Sequence, residues 1–206
     1  MENTANRISL VGTLAERPVL SHTNHERNFY RFLLEVARLS GACDLLPVVA
    51  AEDVLLQADL FQGYQIAVSG QIRSFNSKAE TGRRLIISVF AESVTTTDRE
   101  HENELTLTGA ICKPPVLRRT PLGREICDVM LAVNRPYRRT DYIPCILWGR
   151  LAQQTAEYPV GTVLTCTGRL QSREYIKVLP DRSETRTAYE VSVTTAEPAG
   201  EVEHPQ

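Results

Sequence analysis

Apolar and polar residues alternate along most of this chain with a period of two, the spacing that sends successive side chains to opposite faces of a β-strand. In the C-terminal half Leu105, Leu107 and Ile111 open the pattern. Cys127, Val129, Leu131 and Val133 follow, then Ile143, Cys145 and Leu147, then Leu164, Cys166 and Leu170, and finally Val191 and Val193. The pattern predicts five strands. A helical stretch interrupts it only at 150–158 (RLAQQTAEY), where Pro159 stops it. The N-terminal half repeats the plan, with its helical stretch at 53–61 ending before Gly63. NRISLVGTLAERPVL at 6–20 becomes NELTLTGAICKPPVL at 103–117, a spacing of 97 residues. Arg38 and Pro47 keep that spacing against Arg135 and Pro144, and one inserted residue later Gly63 and Gly70 meet Gly161 and Gly168. Two similar domains therefore lie in tandem.

Five strands with one short helix between the third and fourth is the order of an OB-fold, a small Greek-key barrel. The expectation is an all-β chain with one short helix per repeat, folded as two tandem five-stranded OB-fold barrels at 1–98 and 103–197. The polar stretch 95–103 separates them, and a short acidic tail occupies 198–206; neither needs to be folded. Gly12, Gly70, Gly109 and Gly168 fall inside strand patterns, where glycine marks a bulge or a sharp bend. Pro47 and Pro144 suggest an irregular or edge position in the third strand of each copy.

At 206 residues the chain holds two self-sufficient cores. It has neither a signal-peptide pattern nor an apolar run of the ~20 residues a membrane span needs, so no membrane partner and a cytoplasmic location are expected. Its five cysteines lack CxxC spacing, and Cys127, Cys145 and Cys166 fall among apolar strand positions as small hydrophobes. His22 and His25, read as a loop, lack a third ligand. No metal and no cofactor is expected. The net charge of −2 hides an asymmetry: residues 103–195 carry thirteen Lys and Arg against nine Asp and Glu, whereas residues 1–102 carry ten against thirteen. That points to one polyanion-facing domain.

Strand parity then separates a core face from a displayed one. With Ile143, Cys145 and Leu147 inward, Tyr142, Pro144, Ile146 and Trp148 face out; with Leu164, Cys166 and Leu170 inward, Thr165, Thr167, Arg169, Gln171, Arg173 and Tyr175 face out. Separated aromatics among arginines suit a single nucleic-acid strand, the rings for bases and the guanidinium groups for phosphates. Packing against the helix or the neighbouring domain is the competing role for Trp148. The first copy is an internal control: Tyr137, Tyr142, Trp148, Arg169 and Tyr175 become Ser40, Leu45, Ala51, Gln71 and Ser77. The stacking set is gone, although Arg73 and Phe75 remain on that face, and the binding face of the first domain is expected to be degenerate.

The stretch NRPYRRTDYIPCILWGRLAQQTAEYPVGTVLTCTGRLQSREY resembles the bacterial single-stranded DNA-binding protein family, through its NRP loop, its LWGRLA junction into the helix, the Y-x-x-G-T turn and the GRLQSREY strand. The likeness spans about 103–195; the first copy matches only through its spacing, NRISLVG and VSGQIRSF. The resemblance implies that Tyr137, Tyr142, Trp148 and Tyr175 stack on bases. It also implies that nearby basic residues, namely Arg135, Arg138, Arg139, Arg150, Arg169, Arg173 and Lys177, track the backbone of single-stranded DNA. It implies four OB units, here a homodimer, and protection of exposed strands in replication, recombination or repair without strong sequence preference. The resemblance also implies replication or repair proteins as partners, although the tail, which reads EVEHPQ, lacks the terminal phenylalanine by which the family recruits them. Two other classes compete. A nuclease would need a carboxylate cluster beside a metal, which the displayed faces lack, so no enzyme activity is expected; an OB-fold interaction or replication-restart adaptor would bind nucleic acid only weakly.

Overall fold

β-branched and aliphatic residues at alternate positions form twelve strands in a computed structural model that describes residues 5–58, 60–79, 82–178 and 182–199, with backbone alone for 78, 79 and 82–84. The first copy runs β1 (Asn6–Leu14), β2 (Val19–Asn24), β3 (Arg27–Ala37), β4 (Cys43–Ala51), α1 (Glu52–Leu55), β5 (Gln65–Ala79) and β6 (Gly82–Thr96). The second runs β7 (Glu102–Ile111), β8 (Val116–Arg119), β9 (Glu125–Arg135), a 3-10 turn (Pro136–Arg138), β10 (Arg139–Trp148), α2 (Gly149–Ala156), β11 (Val163–Val178) and β12 (Ser183–Pro198). Each copy closes into a ring. In the first, β1 pairs with β3, β3 with β4, β4 with β6, β6 with β5, and β5 with β1. In the second, β7, β9, β10, β12 and β11 close in the same way. These are two five-stranded barrels in the OB order, with a largely aliphatic core that includes Leu10, Phe32 and Ile72 in one and Leu107, Leu131 and Leu147 in the other.

The sixth strand of each copy, β2 or β8, was not anticipated. Both hang on the outer edge of their neighbour and are exposed along their whole length, so they carry no burial alternation. His22 therefore belongs to a strand, and His25 to the tight turn after it, at φ 47°. The first helix is also shorter than expected: α1 stops at Leu55, whereas α2 runs for eight residues. The stretch expected to link the domains is partly strand, since β6 reaches Thr96 and β7 starts at Glu102, and β12 runs on to Pro198.

The glycines at the bends have a steric cause. A Cβ on Gly70 would lie 2.1 Å from the Phe90 carbonyl oxygen, and one on Gly168 2.2 Å from that of Ser192. Both sit where the register of the fourth and fifth barrel strands slips by a residue. The three cysteines of the second core are buried, and burial pushes the Cys166 thiol up to about 12.

The barrels are joined edge to edge. β1 and β7 pair antiparallel, with Asn6 opposite Leu107, Ile8 opposite Leu105 and Leu10 opposite Asn103. Because Asn6, Ile8 and Leu10 recur as Asn103, Leu105 and Leu107, the pairing is a local two-fold axis that passes between Ile8 and Leu105. All twelve strands thus form one continuous sheet.

Candidate nucleic-acid interface

Two symmetric carboxylate locks fix the barrels about that axis. Asp44 of β4 is fully buried and accepts hydrogen bonds from the Ser172 N–H (2.6 Å) and Oγ (2.9 Å) of the other copy, while Arg38 closes on it at 2.5 Å. Its counterpart Asp141 accepts from the Ser74 N–H (2.7 Å) and lies 2.9 Å from Arg135 Nε and 3.3 Å from Arg73 Nη1. Burial pushes the Asp44 carboxyl upward, but the bonds from Arg38 and Ser172 outweigh it and hold it below the usual carboxylate range. Arg135, expected among the backbone-tracking residues, is here largely buried at the seam on Asp141.

The aromatic positions lie where strand parity places them. Trp148 ends β10 and is 37% exposed, its indole N–H donating to Ser192 Oγ on β12 at 3.2 Å. Tyr142 opens the exposed parity of the same strand, about 20 Å away at strand rise, and its N–H donates to Ser74 Oγ of the first copy at 2.7 Å. Tyr175 extends along β11 past the barrel, with the Arg173 guanidinium 5.9 Å from its ring centre. Tyr137 and Arg138 stand at φ 61° and 55°, a left-handed pair that throws the Tyr137 ring out of the fold, 95% exposed. A ring so exposed contributes nothing to the core, and the strained backbone that presents it costs of order 1–3 kcal/mol per residue.

A groove of about 1350 Å³ runs from Trp148 across Arg169, Gln171 and Arg173 to the two-fold axis. It brings Trp148, Arg169 and Arg173 together; Arg138, Arg139 and Arg150 are exposed outside it, with Arg150 two residues beyond Trp148 on α2. Tyr142, Tyr175, Tyr137 and Lys177 also lie outside its walls. Arg7, Arg38 and Arg124 line the groove too, and strand parity within the second copy overlooked them because two of the three come from the first copy. Glu92 and Glu104 line it as well. Arg173 is shared, its Nε 3.4 Å from the buried Glu190.

Across 102–199 the chain matches the model of the Single-strand binding protein family. It is 38% identical over 80 residues to single-stranded DNA-binding protein B of Bacillus subtilis, covering 35% of this chain and 71% of that one. To the single-stranded DNA-binding protein of Halalkalibacterium halodurans it is 36% identical over 80 residues, covering 35% of this chain and 48% of that one. The crystal structure of the wild-type single-stranded DNA binding protein from Thermus aquaticus shares the fold of both copies, with a TM-score of 0.78 and 23% identity over 98% of this chain and 96% of that one. The chain thus spans most of one curated relative and about half of another, and the family model falls on the second copy. This chain belongs to the single-strand binding protein family.

Proposed function

We propose that the chain binds single-stranded DNA without strong base preference, in the cytoplasm, and shields strands exposed in replication, recombination or repair. The observation that carries this reading is the displayed face of β10 and β11, where Trp148, Tyr142 and Tyr175 stand clear of the core among Arg169 and Arg173. Exposed rings bind bases only when those bases are unpaired, and each stacked base is worth roughly 1–3 kcal/mol. Arginines along the groove neutralise phosphates and release counterions, so affinity falls as salt rises. The relatives' names support the same substrate.

We further propose a homodimer carrying four barrels, in keeping with the tandem duplication and the prevalence of closed two-fold assemblies. Light scattering at micromolar concentration checks it, a dimer being the expected mass and a monomer the contrary result. The binding reading is tested by competition between an oligothymidylate and a blunt duplex of equal length. The single strand is expected to win, by a margin that shrinks with salt; equal affinity for the two would overturn it.

A further inference from the structure

In the second copy Trp148 ends the third barrel strand and lies over Ser192 of the fifth. At the same two places the first copy has Ala51 and Phe90: the third barrel strand has lost its ring and the fifth has gained one. Ala51 is 2% exposed. The Phe90 ring rests against Phe29 (6.1 Å between centres), which in turn stacks on His22 (4.9 Å, 7° between planes), and the Arg73 guanidinium sits 5.8 Å from the Phe90 centre. The other lost ring has a substitute as well. Ser77 stands where the second copy has Tyr175, but two residues earlier on the same face Phe75 replaces Arg173 and is 54% exposed. A cation has moved two residues the other way, Gln71 and Arg73 standing where the second copy has Arg169 and Gln171.

We infer that the first copy carries its own base-stacking surface, with Phe75 and Phe90 as its rings, and that one single strand runs onto it directly from Tyr142. This inference rests on the single-strand reading above and extends it to the domain whose matching positions have lost their aromatics. Continuity supports the path. The backbone of Tyr142 is hydrogen-bonded at 2.7 Å to Ser74, the immediate neighbour of Phe75, so the last ring of one face and the first of the other flank the seam between the barrels. Both rings are exposed there. Beyond Phe75 the cross-strand pairs Phe75 with Ile86, Arg73 with Ser88 and Gln71 with Phe90 carry the same face of β5 and β6 on to the second ring. Arg73 is a positioning residue: tied to Asp141 at 3.3 Å and lying over Phe90, it holds the ring in place and is not a free phosphate ligand. Among the described residues, Arg31, exposed on β3 opposite Val49, offers this surface a cation for a backbone.

The test compares two oligothymidylates on the full chain, one of about 8 nucleotides, within the reach of a single OB unit, and one of about 30, long enough to cross the seam. Phe75→Leu removes an exposed ring, so its melting temperature is expected to equal that of the unsubstituted protein. It should weaken binding of the long oligonucleotide by about fivefold or more and reduce the number of nucleotides each chain covers. Binding of the short one, followed by Trp148 emission, should not change. Phe75→Tyr should restore the long-oligonucleotide affinity, which a merely structural role for the ring would not predict. If Phe75→Leu and Phe90→Leu leave both affinities and the covered length unchanged while Trp148→Ala weakens both, the first copy does not engage the strand and the inference is wrong, with the single-strand reading intact. If the unsubstituted chain binds neither oligonucleotide, both readings fall together.

Discussion

The two barrels share a fold and a seam but not a surface, and the difference separates what duplication preserves from what it releases. The seam repeats its main contacts in both copies: Asn6 and Asn103 each bridge to the fourth barrel strand of their own copy, at Ile72 and Leu170, and Asp44 and Asp141 each reach across to the serine backbone of the other. The two aspartate contacts tie one copy to the other, so a change at either end is felt in both barrels. The displayed faces carry no such coupling. Charge and aromatics diverged there, to the point that Asp53 pairs with Arg27 where the second copy has Arg150 beyond Trp148.

The largest expected effect breaks the conserved half of the comparison. Asp141→Ala leaves Arg135 and Arg73 facing each other, mostly buried and without their shared carboxylate, and should cost about 3 kcal/mol in urea denaturation. Asp44→Ala should cost a similar amount. A loss in only one of the two would show that the locks are not equivalent. The divergent half should respond in binding instead. Trp148→Ala should lower affinity for an oligonucleotide by roughly 1–3 kcal/mol while melting close to the unsubstituted protein, because the ring is exposed. A core tryptophan would instead forfeit about 3–5 kcal/mol of stability.

The exchange of rings between strands makes a third, subtler prediction. Ala51→Trp, which restores the aromatic of the second copy, should destabilise the first barrel by about 1–3 kcal/mol through overpacking against Phe90, and Phe90→Ser in the same chain should relieve it. Thermal melts of the single and double variants check this. The smallest effect is on pH. Asp44 is held below its unfolded value of about 3.9, so its lock is fully present above that pH and is lost as pH falls through the lower folded value. Stability should stay level from neutral pH down to about 4 as far as this group is concerned and drop below it, and Asp44→Asn should flatten that drop.

Much of this was legible in the chain itself. Period-two alternation located ten strands, and parity alone turned Tyr142 and Trp148 outward and Ile143 and Leu147 inward. What escaped was what alternation does not encode. β2 and β8 are wet on both sides, so no apolar rhythm marks them. Arg135 reads as one more basic residue in a basic loop; its partner Asp141 is held at the seam by the N–H of Ser74, 67 residues away in the chain. A signal did exist, since Arg38 and Asp44 recur together as Arg135 and Asp141 while the surrounding surface charges do not. Charged pairs retained through divergence mark a shared structural duty. Phe90 escaped for the opposite reason: aligning the copies residue by residue finds Ala51 where Trp148 stands and cannot see a ring supplied by the neighbouring strand.

The central claim, that the displayed face of the second copy stacks on unpaired bases, is tested most directly through Trp148, the only tryptophan. In a titration with unlabelled oligothymidylate at low salt, its emission should be quenched to saturation, at an oligonucleotide concentration that rises steeply when salt is added. Emission that stays unchanged while the oligonucleotide is bound, as judged by its own anisotropy, would contradict the claim.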